Sequence, residues 1–103
     1  MMNRKFSQEA LSHILDQSIM YQCACPAQVC ALINQHRSLF NYQMNCLNAT
    51  DVDCAVHQRI ANTVSASHAQ MEDCLEDILR LENWDMQSYD MPESVKARIL
   101  KGL

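Results

Sequence analysis

Gly102 is the only glycine in the chain, and Pro26 and Pro92 are its only prolines. Turn-rich β folds need many positions that tolerate positive φ or a tight reversal, and this chain lacks the residues that supply them. The shortage points to an all-α fold of long helices joined by few turns. It also removes the glycine loops that cradle phosphates, and neither GxGxxG nor a P-loop occurs.

The 103 residues fit one helical domain spanning 1–103, long enough to bury a single core. A hydrophobic fraction of 49% is ordinary for a globular chain. The net charge is −4, and no stretch clusters Lys and Arg, so nucleic acid is not an expected partner. No run of about 18 apolar residues occurs, so no membrane-spanning helix is expected. Near the N-terminus Arg4 and Lys5 are basic, but Glu9, His13 and Asp16 interrupt what would be the apolar stretch of a signal peptide. The expected location is cytoplasmic, where thiols stay reduced.

Four segments read at helical period. The first runs from about 7 to 22, with Ser7 as N-cap, Glu9 in the first turn, and Phe6, Ala10, Leu11, Ile14, Leu15 and Ser18 at three- and four-residue spacing. The second is expected over 26–47. It opens at Pro26, whose missing N–H costs nothing at the first helical position. Its apolar stripe is Val29, Ile33, His36, Phe40, Met44 and Leu47, with Arg37 off that stripe. The third is expected over 50–83, capped by Thr50 with Asp51 and Asp53 in its first turn. Its stripe is Val52, Val56, Ile60, Val64, Met71, Leu75 and Ile78. At 1.5 Å per residue it would span roughly 50 Å, against about 33 Å for the second. Such a helix overhangs a small bundle. Either it kinks near 65–67, where Ser65 and Ser67 compete for backbone hydrogen bonds, or a second copy packs on it. A short fourth helix over 91–101 is announced by Asp90 and Glu93 as a capping box, with Lys96, Arg98 and Lys101 near its end. These segments predict an antiparallel bundle of three to five helices.

Chemistry concentrates in the turn Cys23-Ala24-Cys25-Pro26-Ala27-Gln28-Val29-Cys30. If the second helix opens at Pro26, Cys25 occupies its N-cap, where free amides and the helix dipole favour a thiolate. Cys23, Cys25 and Cys30 could then converge on a soft ion: zinc, copper or an iron–sulfur centre. The spacing supplies no fourth ligand; His57, His68 and Cys46 are candidates by residue type. His57 and His68 lie eleven residues apart and share a helix face, and Glu72 follows His68 by one turn. Against a metal site stands the plainer reading of small buried cysteines filling a tight turn.

From Glu72 to Asp90 there are seven carboxylates against Arg80 alone. This stretch is either a docking face for a basic partner, through Glu72, Glu76 and Asp77, or a solvated helix surface. The linker after it carries Trp84, Met86, Tyr89 and Met91, residue types common at adaptable interfaces. Trp84 and Tyr89 join the expected partner-binding set; a flap over the open end of the bundle is the alternative.

No nucleophile elbow, serine triad or kinase signature occurs, and nothing in the pattern buries a carboxylate pair, so catalysis is not expected. The leading expectation is a non-catalytic module that presents helix faces to another protein or to a second copy of itself as a homodimer. The next is a metal or iron–sulfur protein built on Cys23, Cys25 and Cys30. The third is a thiol redox protein using a strained Cys23–Cys25 disulfide.

Overall fold

The computed structural model describes residues 2–21, 24–46 and 48–96. It is all-helical, with no strand among the described residues. Three helices, α1 (Gln8–Met20), α2 (Ala24–Asn45) and α3 (Asp51–Leu81), are followed by a helical stretch at 93–96. α1 packs on α2 and α2 on α3. The remainder of the expected second helix at Leu47, and of the fourth at 97–101, lies outside the described residues.

Local signals set the helix starts. Ser7 is extended (φ −67°, ψ 162°), and its hydroxyl accepts from the Ala10 amide at 3.0 Å. Thr50 does the same for the Asp53 amide at 3.1 Å. Each side chain satisfies an amide that has no acceptor within the helix. α2 begins at Ala24, two residues earlier than expected. Pro26 therefore sits inside the first turn, where an amide would still lack an acceptor and its absence does no damage. Cys25 is consequently a first-turn residue and not the cap.

α3 runs 31 residues without a break through 65–67, about 46 Å of axis. Its end is a Schellman reversal. Asn83 takes the left-handed conformation at φ 62°, the Asn83 amide donates to the Arg80 carbonyl, and the Trp84 amide donates to the Leu79 carbonyl at 2.9 Å. Asparagine is the residue that tolerates this conformation best after glycine. The reversal turns Trp84 inward onto Leu79 in the core.

The core occupies one end of the molecule. Phe6, Leu11 and Ile14 meet Cys30 and Ile33 of α2, Leu75 and Leu79 of α3, and Trp84, Met91 and Val95 from the returning chain. The loop after Trp84 closes on Asp85, whose carboxylate accepts from the Gln87 and Ser88 amides at 2.8 and 2.9 Å. Those backbone bonds hold the Asp85 carboxyl below its usual range. The loop is tied to α1 by His13 and Asp90 at 2.7 Å and by the Met91 amide on Gln17.

The other end is a two-helix arm made by the last turns of α2 and the first turns of α3. It makes the molecule elongated, 58 × 22 × 18 Å. The radius of gyration is 16.7 Å, against about 13 Å for a compact chain of this length. Here the expected apolar stripes part from the buried faces. α2 buries Pro26, Cys30, Ile33, Arg37 and Gln43, and leaves Met44 58% exposed. α3 buries Ala61, Val64, His68, Glu72, Leu75 and Leu79, while Val52 is 71% and Val56 49% exposed. At 3.6 residues per turn, Val56 points roughly 140° away from Ala61, which faces α2. Among the described residues no third helix reaches the arm; Met2, Asn3 and Arg4 lie beside Phe40, Asn41 and Met44.

Candidate functional site

The cysteine turn does not assemble with the histidines expected to join it. Cys25 is exposed at the start of α2, whereas Cys30 is fully buried in the core; Cys23 lies outside the described residues. Burial pushes the Cys30 thiol up to about 11, with the Arg37 charge pulling weakly the other way. A thiol held protonated is a poor ligand and a poor nucleophile. His57 stands near the start of α3, its Nδ1 2.6 Å from the Asn48 side-chain oxygen. His68 lies eleven residues further along the continuous helix, about 16 Å in axial distance, so the two cannot share one ion. Among the described residues no group of three or more His, Cys, Asp or Glu side chains is placed to hold a metal.

His68 belongs instead to a buried polar cluster. Arg37 Nε donates to His68 Nε2 at 3.0 Å. The other arms of the guanidinium donate to the Phe6 carbonyl at 2.7 Å, Glu72 Oε2 at 3.2 Å and Gln8 Oε1 at 3.1 Å. Glu72 Oε2 also accepts from the Lys5 and Phe6 amides at 2.7 and 2.9 Å. Since His68 Nε2 accepts, its ring proton sits on Nδ1. That atom is 3.5 Å from Glu72 Oε1 and makes no hydrogen bond. Burial lowers the His68 pKa below its usual value; Glu72 opposes this, while Arg37, His36 and Arg4 add to it. The cluster pins residues 5 and 6 across α2 and α3. Hydrophobicity alone sets Arg37 off the apolar stripe; its four-residue step from Ile33 is the signal that puts it on the buried face.

The expected partner-binding residues are redistributed accordingly. Glu72 is buried in the cluster and Trp84 is buried in the core, so neither can meet a partner. Trp84 Nε1 donates to Glu82 at 3.1 Å. Tyr89 is half-buried with its ring 5.5 Å from Phe6. Glu76 is half-buried, and it lies 3.6 Å from Lys5 and 3.8 Å from Arg80. Asp77 alone of the five is exposed.

Apolar side chains are exposed along the arm, and outside it at Ile19, Met20 and Leu81. On α3, Val52, Ala55, Val56 and Ile60 share a surface hollow with Asp51 and Arg59. Further along, Leu32, His36 and Leu39 of α2 face Thr63, Val64 and Ser67 of α3 across a groove. His36 bridges its floor, 2.7 Å from the Leu32 carbonyl and 2.8 Å from Ser67 Oγ. Periodicity sets Val52 and Val56 on the apolar stripe of α3, yet both are among the residues that the arm leaves uncovered.

No described helix is long and apolar enough to cross a membrane. The chain matches no family model, no curated protein and no solved structure.

Proposed function

We propose that this chain is a non-catalytic helical module whose work is protein–protein interaction, and that it associates with itself. The observation that carries this reading is the arm. Val52 (71% exposed), Val56 (49%), Leu39 (43%) and Tyr42 (67%) project from a two-helix extension that, among the described residues, no third helix covers. Exposed apolar side chains gathered in one region of a surface mark contact sites. The buried Arg37 and Glu72 act structurally, because Arg37 donates to the Phe6 carbonyl and Glu72 accepts from the Lys5 and Phe6 amides. Cys25, Cys30, Cys46, Cys54 and Cys74 are all unpaired, which suits a reducing, cytoplasmic setting.

The test is sedimentation equilibrium of the full chain over a concentration series up to about 1 mM, the range in which even loose pairs form. A mass that rises from monomer to dimer is expected. A strict monomer throughout would remove the self-association.

A further inference from the structure

We infer that two copies of this chain pair through the outer face of the first turns of α3, antiparallel about a two-fold axis at Ala55, with Asp51 of each copy facing Arg59 of the other. This rests on the self-association proposed above and adds its geometry.

Asp51, Ala55 and Arg59 recur at four-residue spacing and form one ridge of α3. Val52, Val56 and Ile60 form the ridge beside it, and all six line one hollow. All but Ile60 are exposed. Neither the Asp51 carboxylate nor the Arg59 guanidinium makes a hydrogen bond or ion pair among the described residues. Both charges are therefore free to serve another chain.

The face is self-complementary. Asp51 precedes Ala55 by the same number of residues as Arg59 follows it, about 6 Å each way along the axis. A two-fold axis at Ala55 brings the acid of each copy onto the base of the other, giving two equivalent ion pairs. At the crossing point stands a methyl group, which lets the helix axes approach to the short end of the roughly 8–10 Å range. The valines of the two copies then cover one another. Opposite charges at equal distance on either side of a small residue are what an isologous contact requires. A different protein on this face would impose no such symmetry, and for that reason the occupant assigned is a second copy.

Charge reversal in trans tests the arrangement. Asp51→Lys alone opposes two like charges across the axis, and so does Arg59→Glu alone. Mixed in equal amounts, the two variants can form a heterodimer in which both pairs are again attractive. Each variant alone should dimerise at least about tenfold more weakly than the parent chain, the equivalent of roughly 1.4 kcal/mol, and the mixture should recover the parent affinity. Far-UV circular dichroism confirms that each variant keeps its helix content. Ala55→Trp, which blocks the close approach without touching charge, should dissociate the dimer as well. If either single variant dimerises like the parent, if the mixture stays monomeric, or if Ala55→Trp has no effect, this geometry is wrong while self-association stands. A parent chain that is monomeric throughout removes both.

Discussion

Arg37 Nε meets His68 Nε2 at 3.0 Å in the interior, joining α2 to α3 across 31 residues of sequence. The same guanidinium reaches Glu72 and the Phe6 carbonyl. Three ionisable side chains are thus buried together with the backbone of residues 5 and 6. A charge removed from water this completely is tolerable only where its donors and acceptors are met. The cluster meets nearly all of them, and His68 Nδ1 is left over.

Stability should fall as pH drops below about 6.5. In the unfolded chain His68 titrates near its ordinary 6.5, while in the fold its pKa is lower, because burial and then Arg37 disfavour its charged form. The unfolded state therefore binds a proton that the folded state refuses, and the contribution present above 6.5 is lost as pH falls through the folded value. Urea unfolding at pH 7.5 and pH 5.5 should show a lower midpoint at the acidic pH. His68→Gln should flatten that difference. Asp85 and Asp90, whose carboxyls are held below the usual 3.8, act only at more acidic pH, so the two windows separate.

Arg37→Met should cost about 3–5 kcal/mol, the range for breaking a buried ion pair from one side. It leaves Glu72, the His68 ring nitrogen and the Phe6 carbonyl without their donor. Hydrogen exchange should also report a local effect. The Lys5 and Phe6 amides, which donate to Glu72, should lose protection more than the Leu75 region of α3 does. Uniform loss would show that the cluster does not specifically hold the N-terminal segment.

Much of this was legible where the cause is local. Ser7 and Thr50 cap because a side chain bonds an amide three residues on, and sequence alone carries that relation. The bounds of α3 were legible too, but not its continuity: Ser65 and Ser67 leave a kink open in sequence, and the helix runs through them unbroken. What hydrophobicity alone could not carry was the inward face of α2, which only the four-residue step from Ile33 to Arg37 marks. Arg37 is internal only because His68, Glu72 and Phe6 wait there from other segments. Periodicity also cannot say how far a core extends. Val52 and Val64 read as one stripe, yet α1 and the returning chain stop short of the arm, so the stripe leaves the core before Val52. The cysteine turn was legible only in part: α2 opens at Ala24 and Cys30 lies in the core with Ile33, while Cys23 lies outside the described residues.

Asn83 at φ 62° offers a clean backbone test. Asn83→Ala places a Cβ in the left-handed region and should destabilise the chain by about 1 kcal/mol. Asn83→Gly should be neutral or stabilising, since glycine carries no such penalty. Thermal melts should show a lowered midpoint for Asn83→Ala and no lowering for Asn83→Gly. Equal losses would mean that the Asn83 side chain, and not its backbone angle, is what the turn needs.

The cysteines should divide into two kinetic classes. Cys25, Cys54 and Cys74 are exposed, while Cys30 is fully buried with its thiol pushed up to about 11. At pH 8 only roughly a thousandth of such a thiol is ionised, and the reagent must still reach it. Alkylation of the native protein with mass-spectrometric mapping should label the three exposed positions and spare Cys30. Labelling of Cys30 should wait for denaturant. Rapid native labelling there would mean that α1 opens from α2 far more readily than the core implies.

The sharpest contrast lies along α3 itself, between Val56 and Leu75. Both fall on the apolar stripe that periodicity draws, but Val56 is 49% exposed and Leu75 is fully buried. Leu75→Ala removes methyl groups from a closed core and should cost about 2–5 kcal/mol, including the cavity left behind. Val56→Ser removes apolar surface that already faces water, and the folded monomer should change by less than about 0.5 kcal/mol. Urea unfolding must be read at low concentration, where dimer does not contribute. At high concentration Val56→Ser should lose the extra stability that association lends to the parent chain, whereas Leu75→Ala should keep that increment on a lower baseline. If Val56→Ser is as costly as Leu75→Ala in dilute solution, the first turns of α3 are packed within the monomer, and the arm is not an open surface.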